Sequence, residues 1–378
     1  MMNRILGIIG GGQLGKMLLQ YCSTISLRTY VYDPSENSPC KNLCNSFYTG
    51  SLMDYDKILE FGRKCDIITY EIEHININAL KTLENEGITV YPSPSTLEVI
   101  QNKYTQKCFF SDNTLPTSNF YRYTSLNDIK LDINKNKIKL PCVWKKTTFG
   151  YDGFGVKIIK TESDLDNLDD GECIIENYVK IYKELSVIVA RNPNSEFKSY
   201  PPVEMIFNEN TNQVEYVIEP ADISRNIFKE VMKISQILSN CLNHIGLLAI
   251  EFFLTHDGKL LINELAPRPH NSGHLTIESC CPTSQFEQHI RSILNLKLGE
   301  TTFTESAIMI NLVGEEGYSG KALYKGINNV FNSKNTHLHI YGKTETRPNR
   351  KMGHITIVGG NHLLDRAKKL KENIKIIV

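Results

Sequence analysis

The spacing of apolar residues predicts that this chain begins with a strand, a helix and a second strand. Four short apolar runs bounded by turn residues predict strands in the first segment, at 4–9, 28–32, 66–70 and 88–91. A helix is expected from about Gln13 to Ser26, between the first two runs. A capping pattern at Ser95 and Glu98 predicts a further helix to about Phe110. This order favours a small doubly wound sheet that ends near Pro94.

The pattern changes after Leu140. Short strands with alternating residues are predicted at 141–146, 156–159, 172–179 and 184–191, and a long helix over 222–244. The last segment adds predicted strands near 307–313, 337–341 and 354–358, then a basic helix over 363–373. We therefore predict a mixed α/β (α+β) chain with an N-terminal Rossmann-like domain at 1–94, a central domain at 95–300 and a small C-terminal domain at 301–378.

Two glutamates are predicted to face each other on a hairpin. Asp257 and Gly258 lie between two apolar runs, and Asp-Gly is a strong signal for a two-residue hairpin turn. That turn places Glu251 opposite Glu264. Carboxylates so close destabilise a hairpin unless they share a proton or bind a cation. Mg²⁺ suits such oxygen ligands and adds nucleotide phosphates to them. The alternative is a half-solvated edge with both charges facing water.

Composition argues against several classes of partner. The 378 residues carry 42 basic and 42 acidic side chains, so no overall positive field favours nucleic acid or a membrane surface. The ten cysteines include no C-x-x-C pair, which argues against a zinc site. No run approaches the roughly 18 apolar residues of a membrane span. Scattered thiols without a secretory signal predict a cytoplasmic protein.

Gly10, Gly12 and Gly15 form a G-x-G-x-x-G motif between the first strand and the first helix. Asp33 ends the second strand, where the acidic residue of a dinucleotide fingerprint binds a ribose. The motif also approaches a P-loop, but Met17 stands where a Mg²⁺-binding hydroxyl is required. One fingerprint does not name its ligand. A phosphate-facing turn, a structural turn and a nicotinamide-cofactor site all remain open.

A second glycine-rich loop, at 150–155, follows a strand that ends in Lys145 and Lys146. Backbone N–H groups of such a loop cover phosphate oxygens while a lysine supplies charge, although an ordinary hairpin turn is the alternative. Glu176 and Glu184 in flanking strands could hold an adenine amine and ribose hydroxyls. Surface carboxylates are the alternative for each of them.

The segment 266–274 directly follows Glu264 and has the sequence APRPHNSGH. It is too polar and too rich in proline for a core, and it lies beside the predicted metal. Arg268, His270 and Asn271 are therefore predicted to bind anions at a reaction centre.

Together these motifs resemble those of ATP-grasp ligases, and most closely those of the 5-(carboxyamino)imidazole ribonucleotide synthase family. The similarity extends almost from end to end, through the strings at 11–15, 68–73, 150–155, 263–274, 284–289 and 347–354. The string at 263–274 is highly specific, whereas the first glycine motif alone is weak. The resemblance implies an ATP-grasp fold in the central domain, with a lid subdomain at about 102–178.

The resemblance also implies an activity. Members carboxylate the exocyclic amine of 5-aminoimidazole ribonucleotide with ATP and bicarbonate, through carboxyphosphate, in purine biosynthesis. ATP and Mg²⁺ are the implied cofactors. A homodimer is implied as well, and so is a transient transfer of the labile product to the mutase of the same pathway. Nucleic acid and membrane partners are not expected.

Individual residues receive roles from the same resemblance. Nucleotide contacts are implied for Lys103, Lys145, Gly150, Tyr151, Asp152, Gly153, Phe154, Gly155, Val156, Glu176, Asn177, Tyr178, Val179, Glu184, Asn263 and Glu264. Metal ligation is implied for Glu251 and Glu264, and contact with bicarbonate and carboxyphosphate for Arg268, His270 and Asn271. Ribonucleotide contacts are implied for Tyr151, Asp152 and Lys351, with Glu73, and with Arg347 and Arg350 at the 5′-phosphate.

The chain departs from the family pattern at three of these positions. Lys103 stands where arginine is common, which replaces a bidentate fork with a point charge. Phe154 and Val156 occupy loop positions that are often polar or basic. The alternatives are an ATP-grasp ligase with another acyl donor such as formate, an NAD(P)-dependent dehydrogenase and a catalytically silent ATP-binding module.

Overall fold

The computed structural model describes residues 4–148, 150, 155–278 and 281–378. Its N-terminal part is a five-stranded parallel sheet in the order β3-β2-β1-β4-β5, which confirms the predicted doubly wound sheet. The strands are β1 Ile5–Ile9, β2 Arg28–Asp33, β3 Ser46–Thr49, β4 Ile67–Tyr70 and β5 Thr89–Val90. The connecting helices are α1 Gln13–Thr24, α2 Tyr55–Gly62 and α3 Ile77–Asn85. Sequence reasoning missed β3.

The predicted helix from Ser95 to Phe110 was wrong, because the chain forms two helices there. Ser93 caps α4, Pro94–Gln101, and the proline takes the first helical position, where its missing N–H costs nothing. Asn102 has an extended backbone and caps α5, Lys103–Asp112. The break at Asn102 places Lys103 in the first turn of α5.

A four-stranded antiparallel sheet follows, which we call the lid sheet. Its strands, in the order β6-β9-β7-β8, are β6 Phe120–Tyr123, β7 Cys142–Lys146, β8 Val156–Ile159 and β9 Cys173–Asn177. Helix α6, Leu126–Asn134, and a 3₁₀ helix, Glu162–Asn167, cover it. A separate apolar core that includes Trp144 and Ile175 stabilises this sheet.

The largest sheet has nine strands, with β11 pairing on β10 and the others in the order β15-β14-β10-β12-β13-β16-β21-β19. They are β10 Ile181–Arg191, β11 Phe197–Ser199, β12 Val203–Asn208, β13 Gln213–Glu219, β14 Gly246–Thr255, β15 Leu260–Ala266, β16 Ala307–Val313, β19 Thr336–Ile340 and β21 Lys351–Val358. Because β13 pairs with β16, this sheet runs across the predicted boundary at residue 300.

Helices and short strand pairs cover the large sheet. They are α7 Arg225–Leu242, a 3₁₀ helix Asn271–Thr276, α8 Gln285–Ile293, β17 Gly320–Lys321, β18 Leu323–Lys325, α9 Asn328–Phe331, β20 Glu345–Thr346, α10 Leu363–Glu372 and β22 Lys375–Ile377. The long amphipathic helix α7 packs against the hairpin of β14 and β15 through Val231, Ile234 and Leu238, which fixes the hairpin from behind. In the part of the chain that the structure describes, no helix has the length and apolarity that crossing a bilayer requires.

Candidate active site

The hairpin of β14 and β15 brings Glu251 and Glu264 together as Cα partners, as predicted. The predicted two-residue turn was wrong. Thr255 N donates to Lys259 O, so the loop comprises His256, Asp257 and Gly258, and Gly258 adopts a φ of 80° that suits glycine. This longer loop shifts the register by one residue, and a β-bulge next to Glu251 shifts it back. The glutamate pairing was therefore correct although the turn was not.

The bulged residue is Asn263, which has no Cα partner between the pairs Phe252–Ile262 and Glu251–Glu264. Its amide lies in the site, because Asn263 Nδ2 donates to Glu251 Oε2 over 3.3 Å and Oδ1 accepts from Lys145 Nζ over 3.0 Å. A bulge commonly re-aims a side chain in this way. It adds a third polar side chain beside the two carboxylates.

The two carboxylates have opposite electrostatic surroundings. Burial, followed by the charges of Glu264 and Glu184, raises the pKa of Glu251 to about 8. Lys103 Nζ donates to Glu264 Oε2, and that cation lowers the pKa of Glu264. The pair thus holds one ionised carboxylate and one that favours a proton, as expected for two close acids of which only one is paired with a lysine.

A divalent ion fits this pair when a nucleotide supplies further oxygens. Within residues 4–148, 150, 155–278 and 281–378, no three His, Cys, Asp or Glu side chains converge as a metal site. Glu251 and Glu264 offer two carboxylates beside Lys103 and Lys145. Mg²⁺ is usually bound by one or two carboxylates plus phosphates and water, so the donor set suits it.

The carboxylate of Glu176 is buried between two lysines. Its Oε1 lies 3.0 Å from Lys145 Nζ, its Oε2 lies 3.2 Å from Lys107 Nζ, and Ser118 Oγ donates to Oε2 over 2.6 Å. Burial opposes ionisation, but the two lysines hold the pKa of Glu176 at about 2. Both oxygens therefore lie beside lysines. The adenine contact of Glu176 stays a prediction.

Glu184 lies on β10, where its Cα partner on β14 is Phe253. Burial raises the pKa of its carboxyl to about 7, opposed by Lys145 and reinforced by Glu264. These influences place Glu184 beside the acidic hairpin. The exposed residues Asn177 and Tyr178 lie at the end of β9, just before β10 begins.

The loop after β15 places two of the predicted anion ligands over the hairpin. Arg268 Nη2 lies 2.7 Å from Glu73 Oε1, which extends from the end of β4. His270 Nε2 lies 3.6 Å from Glu251 Oε1, and its Nδ1 lies 2.8 Å from Ser272 Oγ. The predicted reaction-centre residues therefore meet the predicted metal ligands.

Asn271 is held by a partner that sequence reasoning missed. It forms a reciprocal amide pair with Asn311 on β16, with both N–O distances at 2.9 Å. Gln285, also missed, accepts from His270 N and donates to His270 O, each over 2.8 Å. These amides fix the loop that carries the anion ligands. Gln285 lies in the string at 284–289, which was the available signal.

A cavity of about 550 Å³ connects these groups. The walls of the cavity include Gly150, Glu73, His270 and Lys351. The C-terminal segment therefore reaches the cavity through Lys351, which is a predicted ribonucleotide contact. Arg347 and Arg350 are not among the described residues that line it, and Arg350 Nη1 donates to Glu345 O over 2.8 Å.

Part of the second glycine loop cannot be placed in this cavity. The predicted contacts Tyr151, Asp152, Gly153 and Phe154 lie outside the described residues. Gly155 and Val156 belong to the β7–β8 hairpin, where Lys146 N donates to Gly155 O and Val156 pairs with Lys145.

The N-terminal glycine turn is occupied by a carboxylate of the chain itself. Gly12 N, Leu14 N and Gly15 N donate to Glu71 over 2.6, 3.1 and 3.1 Å. These are the donors that a dinucleotide phosphate requires. A Cβ on Gly12 would lie 2.7 Å from Glu71 Oε1, so Glu71 alone accounts for a glycine there. The structure favours a structural turn.

Asp33 is also engaged. Its carboxylate accepts from Gly11 N over 2.7 Å and from Ser35 N over 2.8 Å. Asp33 thus stabilises the glycine turn, and its contact with a ribose stays a prediction. Glu71 lies within the string at 68–73, at the carboxyl end of a strand beside β1, where its meeting with the glycine turn was predictable.

Comparison with protein families matches three segments of the chain. Residues 2–101 match the ribonucleotide synthetase preATP-grasp domain, and residues 108–286 match the ATP-grasp domain. Residues 307–367 match the phosphoribosylaminoimidazole carboxylase C-terminal domain.

Two curated relatives differ in length. The N5-carboxyaminoimidazole ribonucleotide synthase of Bacillus subtilis is 38% identical over 359 residues, covering 94% of this chain and 91% of the relative. The chloroplastic phosphoribosylaminoimidazole carboxylase of Vigna aconitifolia is 36% identical over 367 residues, covering 94% of this chain. This chain spans only 64% of the length of that plant enzyme.

Solved structures give the same result. The N5-carboxyaminoimidazole ribonucleotide synthetase of Thermotoga maritima is 41% identical with a TM-score of 0.90, covering 99% of both chains. The N5-carboxyaminoimidazole synthase of Aspergillus clavatus, in complex with ADP and 5-aminoimidazole ribonucleotide, is 27% identical with a TM-score of 0.89, covering 98% of both chains. The chain therefore belongs to the N5-carboxyaminoimidazole ribonucleotide synthase family of ATP-grasp ligases, the family that its motifs resemble.

Proposed function

We propose that this chain carboxylates the exocyclic amine of 5-aminoimidazole ribonucleotide in de novo purine biosynthesis. The substrates are ATP and bicarbonate, and the products are N5-carboxyaminoimidazole ribonucleotide, ADP and phosphate. The observation that carries the proposal is one cavity in which Lys103, the acidic hairpin, Arg268 and His270 converge. Phosphoryl transfer depends mainly on positioning and charge neutralisation, which these groups supply.

Bicarbonate attack on the γ-phosphate forms carboxyphosphate and releases ADP. The amine nitrogen then attacks the carboxyl carbon, the bond to phosphate breaks, and the amine loses a proton. Arg268, His270 and Asn271 hold the anionic carboxyl and phosphate groups. Since Arg268 is paired with Glu73 over 2.7 Å, its guanidinium is already oriented. Carboxyphosphate hydrolyses readily, so a loop that closes over it, 150–156, protects it from water.

Nucleotide binding falls to groups on both sheets. Lys103 and Lys145 face the phosphates, with the backbone of 150–156 over them. Residues 176–179 hold the adenine, Glu184 binds the ribose, and Asn263 lies beside the phosphates. Glu251 and Glu264 hold Mg²⁺, which neutralises charge on the polyphosphate when bound.

The ribonucleotide occupies the end of the cavity where Glu73 and Lys351 lie. Tyr151 and Asp152 belong to the same subsite, and Arg347 and Arg350 are assigned to its 5′-phosphate. We keep the division into domains at residues 94 and 300, with a lid at about 102–178. We also assign the chain to the cytoplasm, as a homodimer that transfers its labile product to the mutase of the pathway.

Phosphate release from Mg·ATP tests the proposal. The rate should rise only when 5-aminoimidazole ribonucleotide and bicarbonate are both present, and the carboxylated ribonucleotide should accumulate in step with phosphate. Formate in place of bicarbonate is the matched control for the other acyl donor. Stimulation by formate, or release that ignores the ribonucleotide, would contradict the proposal.

A further inference from the structure

Lys107 is a buried cation that none of the assigned roles uses. It lies one helical turn after Lys103 on α5 and is only 2% exposed. Its Nζ donates to Thr117 Oγ1 over 2.7 Å and to Ser118 Oγ over 2.8 Å, and it lies 3.2 Å from Glu176 Oε2. A lysine is almost never buried so completely unless it is paired.

The pairing continues as an unbroken line of polar contacts to the acidic hairpin. The other oxygen of Glu176 lies 3.0 Å from Lys145 Nζ, and Lys145 donates to Asn263 Oδ1 over 3.0 Å. Asn263 Nδ2 donates in turn to Glu251 Oε2 over 3.3 Å. The line joins α5, two strands of the lid sheet and both strands of the hairpin.

The charges along this line do not cancel. Glu176 contributes one negative charge between two lysines, so the buried group carries one net positive charge. If Lys107 were neutral, Glu176 would cancel the charge of Lys145 completely. Lys145 would then present no net charge to a polyphosphate, although its position would be unchanged. Buried charges interact strongly, so this difference has a measurable effect.

We propose that Lys107 is a positioning residue for ATP binding. Lys107 pairs with one oxygen of Glu176 and balances its negative charge. Lys145 therefore keeps a net positive charge toward the phosphates. The inference rests on the proposed function, since it needs ATP beside Lys145.

The test combines Lys107→Met, Glu176→Gln and the double variant. In Lys107→Met the charges of the remaining Glu176 and Lys145 sum to zero. KM for Mg·ATP should therefore rise about 10-fold, while kcat at saturating ATP should change less than about 3-fold. In the double variant Lys145 alone restores one net positive charge. Its KM should return to within about 3-fold of the wild-type value.

A matched control is Lys371→Met, which breaks the pair of Lys371 with Glu215, two residues that do not line the cavity. It should lower stability and leave KM for ATP unchanged. Circular dichroism and thermal unfolding of every variant separate folding from binding. An unchanged KM in Lys107→Met, or a double variant as impaired as the single one, would overturn the proposal. Wild-type phosphate release that ignores the two substrates would instead overturn the proposed function.

The pH dependence of KM offers a second measurement. Burial lowers the pKa of Lys107 to about 8, opposed by the charge of Glu176 and reinforced by Lys145 and Lys103. The groups facing Lys107 are Glu176 on β9, Lys145 on β7 and Lys103 on its own helix. Glu251, whose pKa is about 8, also titrates in this range and is retained in the double variant. The ratio of the wild-type KM to the double-variant KM for Mg·ATP should therefore rise between pH 7 and 9 as Lys107 loses its proton. A ratio that stays constant over this range overturns the proposal.

Discussion

The glycine turn before α1 and the acidic hairpin of β14 and β15 both place a buried carboxylate next to polar groups, but in different states. Glu71 accepts three backbone N–H groups at the turn, and these hydrogen bonds oppose the rise in its pKa that burial causes. Glu251 accepts one amide hydrogen over 3.3 Å, and burial raises its pKa to about 8. A motif whose donors are already used stabilises the fold, whereas an unmatched group indicates a ligand.

The same distinction explains why the better-known sequence motif did not by itself identify what the turn binds. Gly10, Gly12 and Gly15 match the dinucleotide fingerprint in type and spacing. The motif describes the backbone of the turn and does not say whether another part of the chain supplies the anion. Here Glu71 supplies it from the neighbouring parallel strand. The hairpin has no named motif, yet its charges require a partner.

Loss of a hairpin carboxylate should have the largest effect. Glu264→Gln removes one of two acidic ligands and leaves Lys103 without its partner, so turnover should fall by at least about 100-fold. Steady-state phosphate release at saturating substrates measures it. Asp257→Asn in the exposed loop of the same hairpin is the control and should retain activity. Full activity in Glu264→Gln would remove the metal assignment.

Loss of the charge at the glycine turn should affect stability instead. Glu71→Gln weakens three hydrogen bonds to a buried carboxylate, at a cost of about 2 kcal/mol in the free energy of unfolding. Urea denaturation measures this cost, and KM for ATP should stay within about 2-fold of the wild-type value. Glu60→Gln on the exposed face of α2 should be neutral. Unchanged stability together with lost ribonucleotide binding would make the turn a binding site after all.

Alternation and turn signals in the sequence predicted local features well. The strands β1, β2, β7 and β8 follow from apolar runs, and the facing glutamates follow from the hairpin pattern. The bulge at Asn263 was not predictable, because it depends on contacts with Lys145 and Glu251 across other strands. The longer turn shifts the register by one residue and the bulge shifts it back. A prediction based on the turn alone could not reveal this compensation.

The partners of buried charges were the other failure. Glu176 was expected to meet adenine because the sequence places it at a strand end near a glycine loop. Its lysine partners come from α5 and β7, which are far away along the chain, and they were not predicted. Lys107 follows Lys103 by four residues on one helix face, and that spacing was a usable signal. Pairing of β13 with β16 is likewise long-range, so the continuous sheet was unforeseen.

The two regions compared above are joined through His289 on α8. Leu247 N on β14 donates to His289 Nδ1 over 3.2 Å, so the ring carries its proton on Nε2 and donates to Thr69 Oγ1 on β4 over 2.7 Å. Both ring nitrogens are used in the neutral form. Burial therefore lowers the pKa of His289 to about 3 in the folded chain.

A histidine whose pKa is lowered on folding stabilises the chain above its unfolded pKa of about 6.5, and this contribution is lost as the pH falls toward 3. The free energy of unfolding should decline with a slope of about 1.4 kcal/mol per pH unit for this one proton. His289→Gln, which can accept from Leu247 and donate to Thr69, should show a shallower slope by that amount. Urea denaturation at pH steps from 7 to 4 measures both slopes. Equal slopes would mean that His289 does not couple the glycine-turn sheet to the hairpin as a neutral ring.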